Sequence, residues 1–145
     1  MPDYSAAARR WIEPLLALRV GGAVALRFLA PGTDPNADLG ILSPGPDTYS
    51  DFAAPASFVR EFSAEEIATF AGQFRQGARE VILSDAFARS VAAAQGHDSP
   101  RQTFEAAAGL LIGRQICRIR NIRPMEDAGA VYGWRLLCDA PLEAA

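Results

Sequence analysis

Apolar residues near the start of the chain recur at the spacing of an amphipathic helix. In YSAAARRWIEPLLALR, residues 4–19, this spacing puts Trp11, Leu15 and Leu18 on one side. Pro14 interrupts the pattern, because a proline inside a helix removes a hydrogen bond and clashes with the preceding turn. We therefore expect residues 1–21 to form an N-terminal helical segment that is kinked or split in two.

Strict alternation of apolar residues with smaller or charged ones follows in AVALRFLA, and it predicts a half-buried strand within residues 22–30. The predicted core side of this strand consists of Val24, Leu26 and Phe28. ASFVREF and AREVILS are similar short runs and predict further strands within residues 55–84. Between them, SAEE from Ser63 to Glu66 has the pattern of a capping box, which predicts a short helix.

A long segment without any regular spacing separates these strands. PGTDPNADLGILSPGPDTYSDFAAP is rich in proline and aspartate, and its prolines would hold it semi-extended. Long irregular segments in compact domains are usually functional or disordered. We therefore predict a long projecting loop over residues 31–54, whose acidic residues are Asp34, Asp38, Asp47 and Asp51.

Two alanine-rich segments, DAFARSVAAAQG and SPRQTFEAAAG, predict short helices over residues 85–109. The first has Ser84 or Asp85 as its cap and Gly96 as its stop. The second has Ser99 as its cap, with Pro100 at the first helical position, where the missing N–H costs nothing. We expect these helices to be an insertion between strands.

Residues 110–140 end the predicted domain with a hairpin, in which ICRIRNIR and VYGWRLLCD flank PMEDAGA. A loop that is symmetrical about residues 127 and 128 would place Cys117 opposite Cys138 and Ile119 opposite Leu136. The predicted core face then consists of Cys117, Ile119, Trp134, Leu136 and Cys138. The other face carries Arg118, Arg120 and Arg135. This places both cysteines in the core as small hydrophobic residues, in preference to a redox pair.

Charge is the most informative feature of the composition. The 145 residues suit one domain, and the formal net charge of −3 arises from 17 acidic residues against 14 basic ones, all of them arginine. A chain with this balance has no general attraction for nucleic acid. Arg9 and Arg10 before an apolar run resemble a twin-arginine export signal, but Glu13, Pro14 and Arg19 interrupt that run. We therefore expect the cytoplasm, with reduced thiols and no membrane span.

Candidate catalytic and metal-binding residues are few. His97 is the single histidine, and with Asp98 it forms a candidate general-base pair, although its polar turn favours a solvated histidine. Asp34, Asn36 and Asp38 have the first spacings of a calcium loop, but they lack its glycine and its closing glutamate. Turn chemistry explains these residues as well. The sequence thus predicts no catalytic residue, no bound metal and no cofactor.

The hairpin arginines could in principle serve a nucleic acid, but such a surface needs exposed aromatic residues for stacking, and the register above buries Trp134. Arginine is also enriched at protein interfaces and pairs well with carboxylates. We therefore predict that Arg118, Arg120 and Arg135 contact neighbouring subunits or lie on a solvated strand face.

Taken in order, the elements from APASFVREFSAEEIATFAGQFRQGAREVILS to IGRQICRIRNIRPMEDAGAVYGWRLLC resemble the head-tail joining proteins of tailed bacteriophages, also called stopper or neck proteins. The resemblance covers roughly residues 22–139. The positions that carry it are Gly113, Ile116, Arg118, Ile122, Pro124, Trp134 and Leu136. The long N-terminal helix and the helical insertion depart from the family pattern.

This resemblance implies a mainly β fold: a small antiparallel β-barrel with an N-terminal helix and a helical insertion. It implies a non-enzymatic virion protein that is assembled in the bacterial cytoplasm and forms a homo-oligomeric ring at the virion neck. Its partners would be the portal or adaptor and the tail-terminator protein. DNA would pass through the channel without sequence-specific binding, and the 31–54 loop would face that channel and gate it.

Two alternatives remain open on the sequence. The first is a tail-terminator or another component of the tail tube. The second, from a different class, is a small cytoplasmic ligand-binding or enzymatic β-barrel that uses His97 and nearby acids.

Overall fold

A computed structural model describes residues 5–17, 23–29, 49–70 and 73–141 of the chain. The elements within these ranges are, in chain order, α1 (Ser5–Ala17), β1 (Val24–Leu29), β2 (Tyr49–Ala53), β3 (Ser57–Glu61), α2 (Ala64–Thr69), β4 (Arg79–Ser84), α3 (Asp85–Gln95), α4 (Pro100–Ala106), β5 (Gly109–Ile112), β6 (Gln115–Cys117), β7 (Ile119–Asp127) and β8 (Ala130–Cys138).

The strands form two four-stranded antiparallel sheets. The first sheet has the order β2-β1-β5-β6, and the second has the order β3-β4-β8-β7. The prediction of a mainly β fold with added helices is therefore confirmed.

Two segments of chain pass directly from one sheet to the other. Residues 49–61 run from β2 in the first sheet to β3 in the second, with only residues 54–56 between the strands. Residues 115–127 run in the same way from β6 to β7, with Arg118 alone between them. In each sheet these segments supply both edge strands. Strands that bend from one sheet into another form the corners of packed β structures.

The hydrophobic core lies between the sheets. β1 contributes Val24, Leu26 and Phe28, and β8 contributes Trp134 and Leu136. Residues of α3 and α4 join the same cluster, namely Phe87, Ala88, Val91 and Phe104. Alternation along β1 and β8 thus places every second side chain in the core, as expected for sheets with one buried face.

α1 packs on the second sheet through Ile12 and Leu16, which are buried. Trp11 and Leu15, which the helical spacing placed on one side together, are instead exposed. The helix runs without a break from Ser5 to Ala17 and includes Pro14, which excludes the predicted alternative of two short helices. Leu18, the third residue of the predicted stripe, lies outside the described residues.

α2 begins with the predicted capping box. Ser63 accepts a hydrogen bond from the backbone N–H of Glu66, and the Glu66 side chain accepts one from the backbone N–H of Ser63. A second hydrophobic cluster lies beside this helix, and its three aromatic rings stack edge to face or tilted at centroid distances of 5.1 to 5.7 Å. The rings belong to Phe62, Phe70 and Phe74.

The structure corrects the prediction that residues 31–54 contain no regular element. Tyr49–Ala53 forms β2, which pairs with β1 so that Leu29 is opposite Tyr49 and Ala25 is opposite Ala53. The alternation of Tyr49, Asp51 and Ala53 with their neighbours is too short to indicate a strand without its partner. Residues 31–48 of the predicted loop lie outside the described residues.

The structure also corrects the predicted hairpin. The strand that contains Cys117 is divided at Arg118, so Cys117 lies opposite Leu110 in the first sheet. Cys138 lies opposite Ile119 in the second sheet and not opposite Cys117. The hairpin of β7 and β8 turns at residues 128 and 129, and its register is therefore shifted from the predicted one.

Candidate functional site

A groove of about 650 Å³ lies between α4 and the first half of β7. Three arginines line it, Arg101 from α4 and Arg118 and Arg120 from the crossing into β7. Its apolar floor consists of Phe104, Ile119 and Ile122. We call this site, defined by these six residues, the basic groove.

Local sequence explains how the arginines reach this position. Ser99 caps α4 by accepting a hydrogen bond from the backbone N–H of Gln102, and Pro100 occupies the first helical position. This start places Arg101 in the first turn, beside β7. On the other wall, the register shifts between Ile119 and Asn121, so Arg120 sits in a β-bulge. Bulges redirect side chains at sheet edges.

The arginine charges of the basic groove are only partly balanced. Arg120 lies 3.5 Å from a carboxylate oxygen of Asp139, and Glu105 is the acidic residue of the groove lining. Arg101 donates to the backbone carbonyl of Ile122 over 3.3 Å, and its guanidinium lies 5.9 Å from the centre of the Trp134 ring. These contacts orient Arg101 without neutralising it.

Arg118 has no carboxylate within salt-bridge distance among the residues that the structure describes. It is exposed, as are Arg101 and Arg120. A groove with three arginines and two nearby carboxylates favours an anionic group, and arginine binds carboxylates and phosphates with a fork of parallel N–H donors.

Arg135, the third arginine predicted for the interface, lies elsewhere. Its Nε is 3.3 Å from Oε1 of Glu80, on the outer face of the second sheet. Arg60 donates to Oε2 of the same carboxylate over 2.9 Å and also donates to both carboxylate oxygens of Glu66 through its two terminal guanidinium nitrogens. The Arg60 hydrogen bonds lower the pKa of Glu66 to about 2. Arg135 therefore belongs to an ionic network of four residues and not to the basic groove.

Asp51 is the one acidic residue of the predicted channel loop that the structure describes. Arg27 on β1 donates to both of its carboxylate oxygens, at 2.9 and 3.0 Å, which lowers the pKa of Asp51. Asp51 therefore lies in a paired strand and is held by an arginine, so it does not belong to a projecting loop. The other acidic loop residues and the calcium candidates lie outside the described residues, namely Asp34, Asn36, Asp38 and Asp47.

Cys117 and Cys138 are both free and fully buried. Burial raises the pKa of each thiol, because the thiolate would lose its hydration. Thiol chemistry depends on the thiolate, so these environments oppose reactivity. Both side chains are part of the hydrophobic core between the sheets, together with Trp134 and Leu136, while Ile119 is half-buried against it.

His97 is half-buried in the turn between α3 and α4 and does not form the candidate pair with Asp98. Its Nδ1 lies 3.0 Å from Oγ1 of Thr103, and its ring lies 6.2 Å from that of Phe28. The Thr103 hydroxyl also donates to the backbone carbonyl of Ser99 over 3.2 Å. His97 thus links the turn to α4 through Thr103.

An apolar surface on α1 is the second exposed feature. Trp11 and Leu15 are 56% and 57% exposed, and they lie one turn apart on the helix. We call them the α1 pair. Large aromatic side chains are usually highly buried, so this exposure indicates a surface suited to a partner.

Sequence reasoning missed Arg101 and the exposure of the α1 pair. Arg101 and Glu105 have the spacing of neighbours on one helix face, which marks that face as polar. No local pattern says that this face lies beside β7. The α1 pair has apolar neighbours at Ile12 and Leu16, and a helix with two adjacent apolar stripes can bury only one against a flat sheet.

The described part of the chain has no cluster of three or more His, Cys, Asp or Glu side chains that could hold a metal ion. Among the same residues, no helix is both long and apolar enough to cross a membrane. Comparisons of the chain with models of known protein families, with curated proteins and with solved structures each find no match.

Proposed function

We propose that the chain is a non-enzymatic structural subunit of a phage-like particle. Its copies form a ring at the junction of head and tail, and the ring joins the portal or its adaptor to the tail. The sequence resemblance to head-tail joining proteins is the origin of this proposal. The mainly β architecture with an N-terminal helix and inserted helices is compatible with it.

The observation that carries the proposal is the exposure of the α1 pair. Covering an apolar side chain stabilises an assembly by about 25 cal/mol per Å² of apolar surface removed from water. Trp11 and Leu15 present more than half of their surface to solvent while Ile12 and Leu16 on the same helix are buried. A subunit of a larger assembly has a use for such a surface, and aromatic residues are enriched at interfaces.

We further propose that the two sheets are the halves of one small barrel. Residues 49–61 connect one pair of edge strands, and residues 115–127 connect the other pair. The strands can therefore be followed in a circle. The second sheet leads from β3 to β7, which continues into β6, and the first sheet leads from β6 to β2, which continues into β3. This order supports the barrel part of the resemblance.

In the same proposal, residues 31–48 of the predicted 31–54 loop lie in the channel. The described chain ends at Leu29 and resumes at Tyr49, and these residues are opposite each other in the register of β1 and β2. The described residues on either side of residues 30–48 are therefore cross-strand neighbours. The aspartates of the intervening segment, Asp34, Asp38 and Asp47, would repel the phosphates of DNA in a channel.

The proposal is tested by deleting the gene in the bacterium that produces the particles and examining the products by electron microscopy. We expect DNA-filled heads and complete tails that are not joined, and joining restored by the wild-type gene. Mass spectrometry of purified particles should detect the chain. Normal joining without the gene, or the absence of the chain from intact particles, would refute the proposed function.

A further inference from the structure

Two exposed carboxylates lie at the edge of the second sheet that is opposite the basic groove. Glu61 ends the edge strand β3, and Glu65 lies in the first turn of α2 directly after it. Both are exposed, and neither takes part in an ion pair within the described ranges. We call Glu61 and Glu65 the acidic edge.

The acidic edge and the basic groove are at the same level of the sheet. Glu61 is opposite Arg79, Arg79 is opposite Cys138, and Cys138 is opposite Ile119 in the floor of the groove. One row of partners across four strands therefore begins at the acidic edge and ends at the basic groove. The two sites are separated by three strand spacings of about 4.8 Å each.

Nearby arginines do not neutralise the acidic edge. Arg79, the cross-strand neighbour of Glu61, donates to the side-chain oxygen of Gln115 over 3.1 Å. Arg60 binds Glu66 and Glu80. Arg79 and Arg60 are thus held by other groups.

The acidic edge also has a shape that suits an arginine side chain. Glu61 borders a recess of about 570 Å³ whose walls include the apolar side chains of Phe62 and Ile67. An arginine combines an apolar stem with a charged end, so its stem can cover apolar surface while its guanidinium meets a carboxylate. The groove offers the matching arrangement, with arginines around an apolar floor.

We infer that the acidic edge of one copy docks into the basic groove of the next copy. This inference rests on the proposed ring and identifies the surfaces that build it. Two different patches on opposite edges of one molecule form a head-to-tail contact, and repetition of such a contact closes into a ring when the rotation between copies permits. Complementary charge determines which edges meet. Arg118 and Arg120 face Glu61 and Glu65 across the contact.

Charge reversal tests the docking. Arg118→Glu with Arg120→Glu, and separately Glu61→Arg with Glu65→Arg, should each weaken self-association by roughly tenfold or more, as measured by analytical ultracentrifugation. The chain that carries all four substitutions should regain association, because the two patches have exchanged their charges. Failure of this combined variant to regain association, while its circular dichroism matches that of the wild type, would refute the inference.

Glu126→Arg is the matched control. Glu126 is exposed on β7 near the hairpin turn, away from the basic groove, and its reversal changes the net charge by the same amount per residue as Glu61→Arg. We expect wild-type association from this variant. An equal loss of association from Glu126→Arg would mean that overall charge, and not the acidic edge, controls assembly.

Cross-linking tests the geometry of the contact. A chain with Glu65→Cys and Arg120→Cys should give a ladder of linked copies with a short bis-maleimide, since both native cysteines are buried. A control with Glu126→Cys in place of Arg120→Cys should give no ladder beyond its background. A chain that stays monomeric at every concentration and gives no ladder would refute the docking.

The same variants distinguish this inference from its alternatives. If fluorescent duplex DNA binds the wild type, fails to bind the groove variant and is unaffected by the acidic-edge variant, the groove serves nucleic acid and the docking is wrong. Purified particles that contain the chain but give no ladder from the Glu65 and Arg120 cysteines would refute these surfaces alone. Absence of the chain from particles would refute the proposed function, whereas a ladder in solution would still support the docking.

Discussion

The turn between β7 and β8 allows a prediction whose magnitude follows from backbone geometry alone. Ala128 and Gly129 have φ values of 51° and 80°, and Asp127 is opposite Ala130 on either side of them. Positive φ at both central residues is the geometry of a type I′ turn, which favours Asn followed by Gly. Alanine at such a position costs about 1 kcal/mol, because its Cβ crowds the carbonyl oxygen.

Three substitutions should separate the strain at Ala128 from the conformational requirement at Gly129. Ala128→Asn should raise the free energy of unfolding by about 0.5 to 1 kcal/mol, since asparagine tolerates this conformation. Ala128→Gly should change it little, because relief of about 1 kcal/mol of strain is offset by the larger entropy of glycine in the unfolded chain. Gly129→Ala should lower it by about 1 kcal/mol, and this cost is purely conformational because a Cβ there would meet no atom within 4 Å.

Thermal unfolding followed by circular dichroism measures this order, because about 1 kcal/mol corresponds to roughly 3 °C in a domain of this size. We expect Ala128→Asn to melt highest, wild type and Ala128→Gly to melt together, and Gly129→Ala to melt lowest. A Gly129→Ala variant as stable as the wild type, or an Ala128→Asn variant less stable than it, would show that the hairpin turns elsewhere.

Three further predictions concern the core and one ion pair. Gly109→Ala should destabilise the protein by more than about 2 kcal/mol in urea unfolding, since the new Cβ would lie 2.8 Å from the backbone oxygen of Cys117 and neither strand can move freely; full stability would refute this close approach. Acid should weaken the pair of Glu66 with Arg60: the pKa of Glu66 is lowered from 4.5 to about 2, so its contribution is present above pH 4.5 and is lost as the pH falls through 2. The Glu66→Gln variant should lack this part of the pH dependence of unfolding. The effect is modest because the Glu66 side chain is 36% exposed. A variant whose pH profile of unfolding equals that of the wild type would count against the pair. Cys117 and Cys138 should react with a thiol reagent only as fast as the chain unfolds, and rapid modification of the native protein would contradict their burial.

Short-range signals predicted most of the regular elements. The caps at Ser63 and Ser99 and the stop at Gly96 are local interactions, and all three are present in the structure. Alternation also identified β1 and β4, because each strand buries one face in the core between the sheets. These elements depend on residues that are close in the chain.

The hairpin register could not be predicted, for two physical reasons. The sequence pattern places Pro124 in a loop, but it lies within β7, which is an edge strand and tolerates a residue without an N–H. The turn itself is formed by Ala128 and Gly129, and an alanine at positive φ is not among the usual turn signals. The strand break at Arg118 depends on two sheets that meet there, which no local pattern indicates.

The candidate site was only partly accessible from the sequence for the same reason. Arg118 and Arg120 were identified by their places on one strand, but Arg101 joins them only through the packing of α4 beside β7. Arg135 has the same spacing in the sequence pattern, yet Glu80 on the neighbouring strand binds it. Contacts with residues from distant parts of the chain therefore decide which arginine remains available to bind a partner.

The crossing at Arg118 has a mechanical consequence for a subunit that is held by its neighbours. On one side of this residue, β6 is hydrogen-bonded to β5, and on the other side β7 is hydrogen-bonded to β8. A pull applied to the side chains of Arg118 and Arg120 therefore enters the chain at a joint and divides between two sets of hydrogen bonds, one in each sheet. Because strands of both sheets share the load, a subunit of the proposed ring would resist being pulled away from its neighbours better than if a loop carried these arginines.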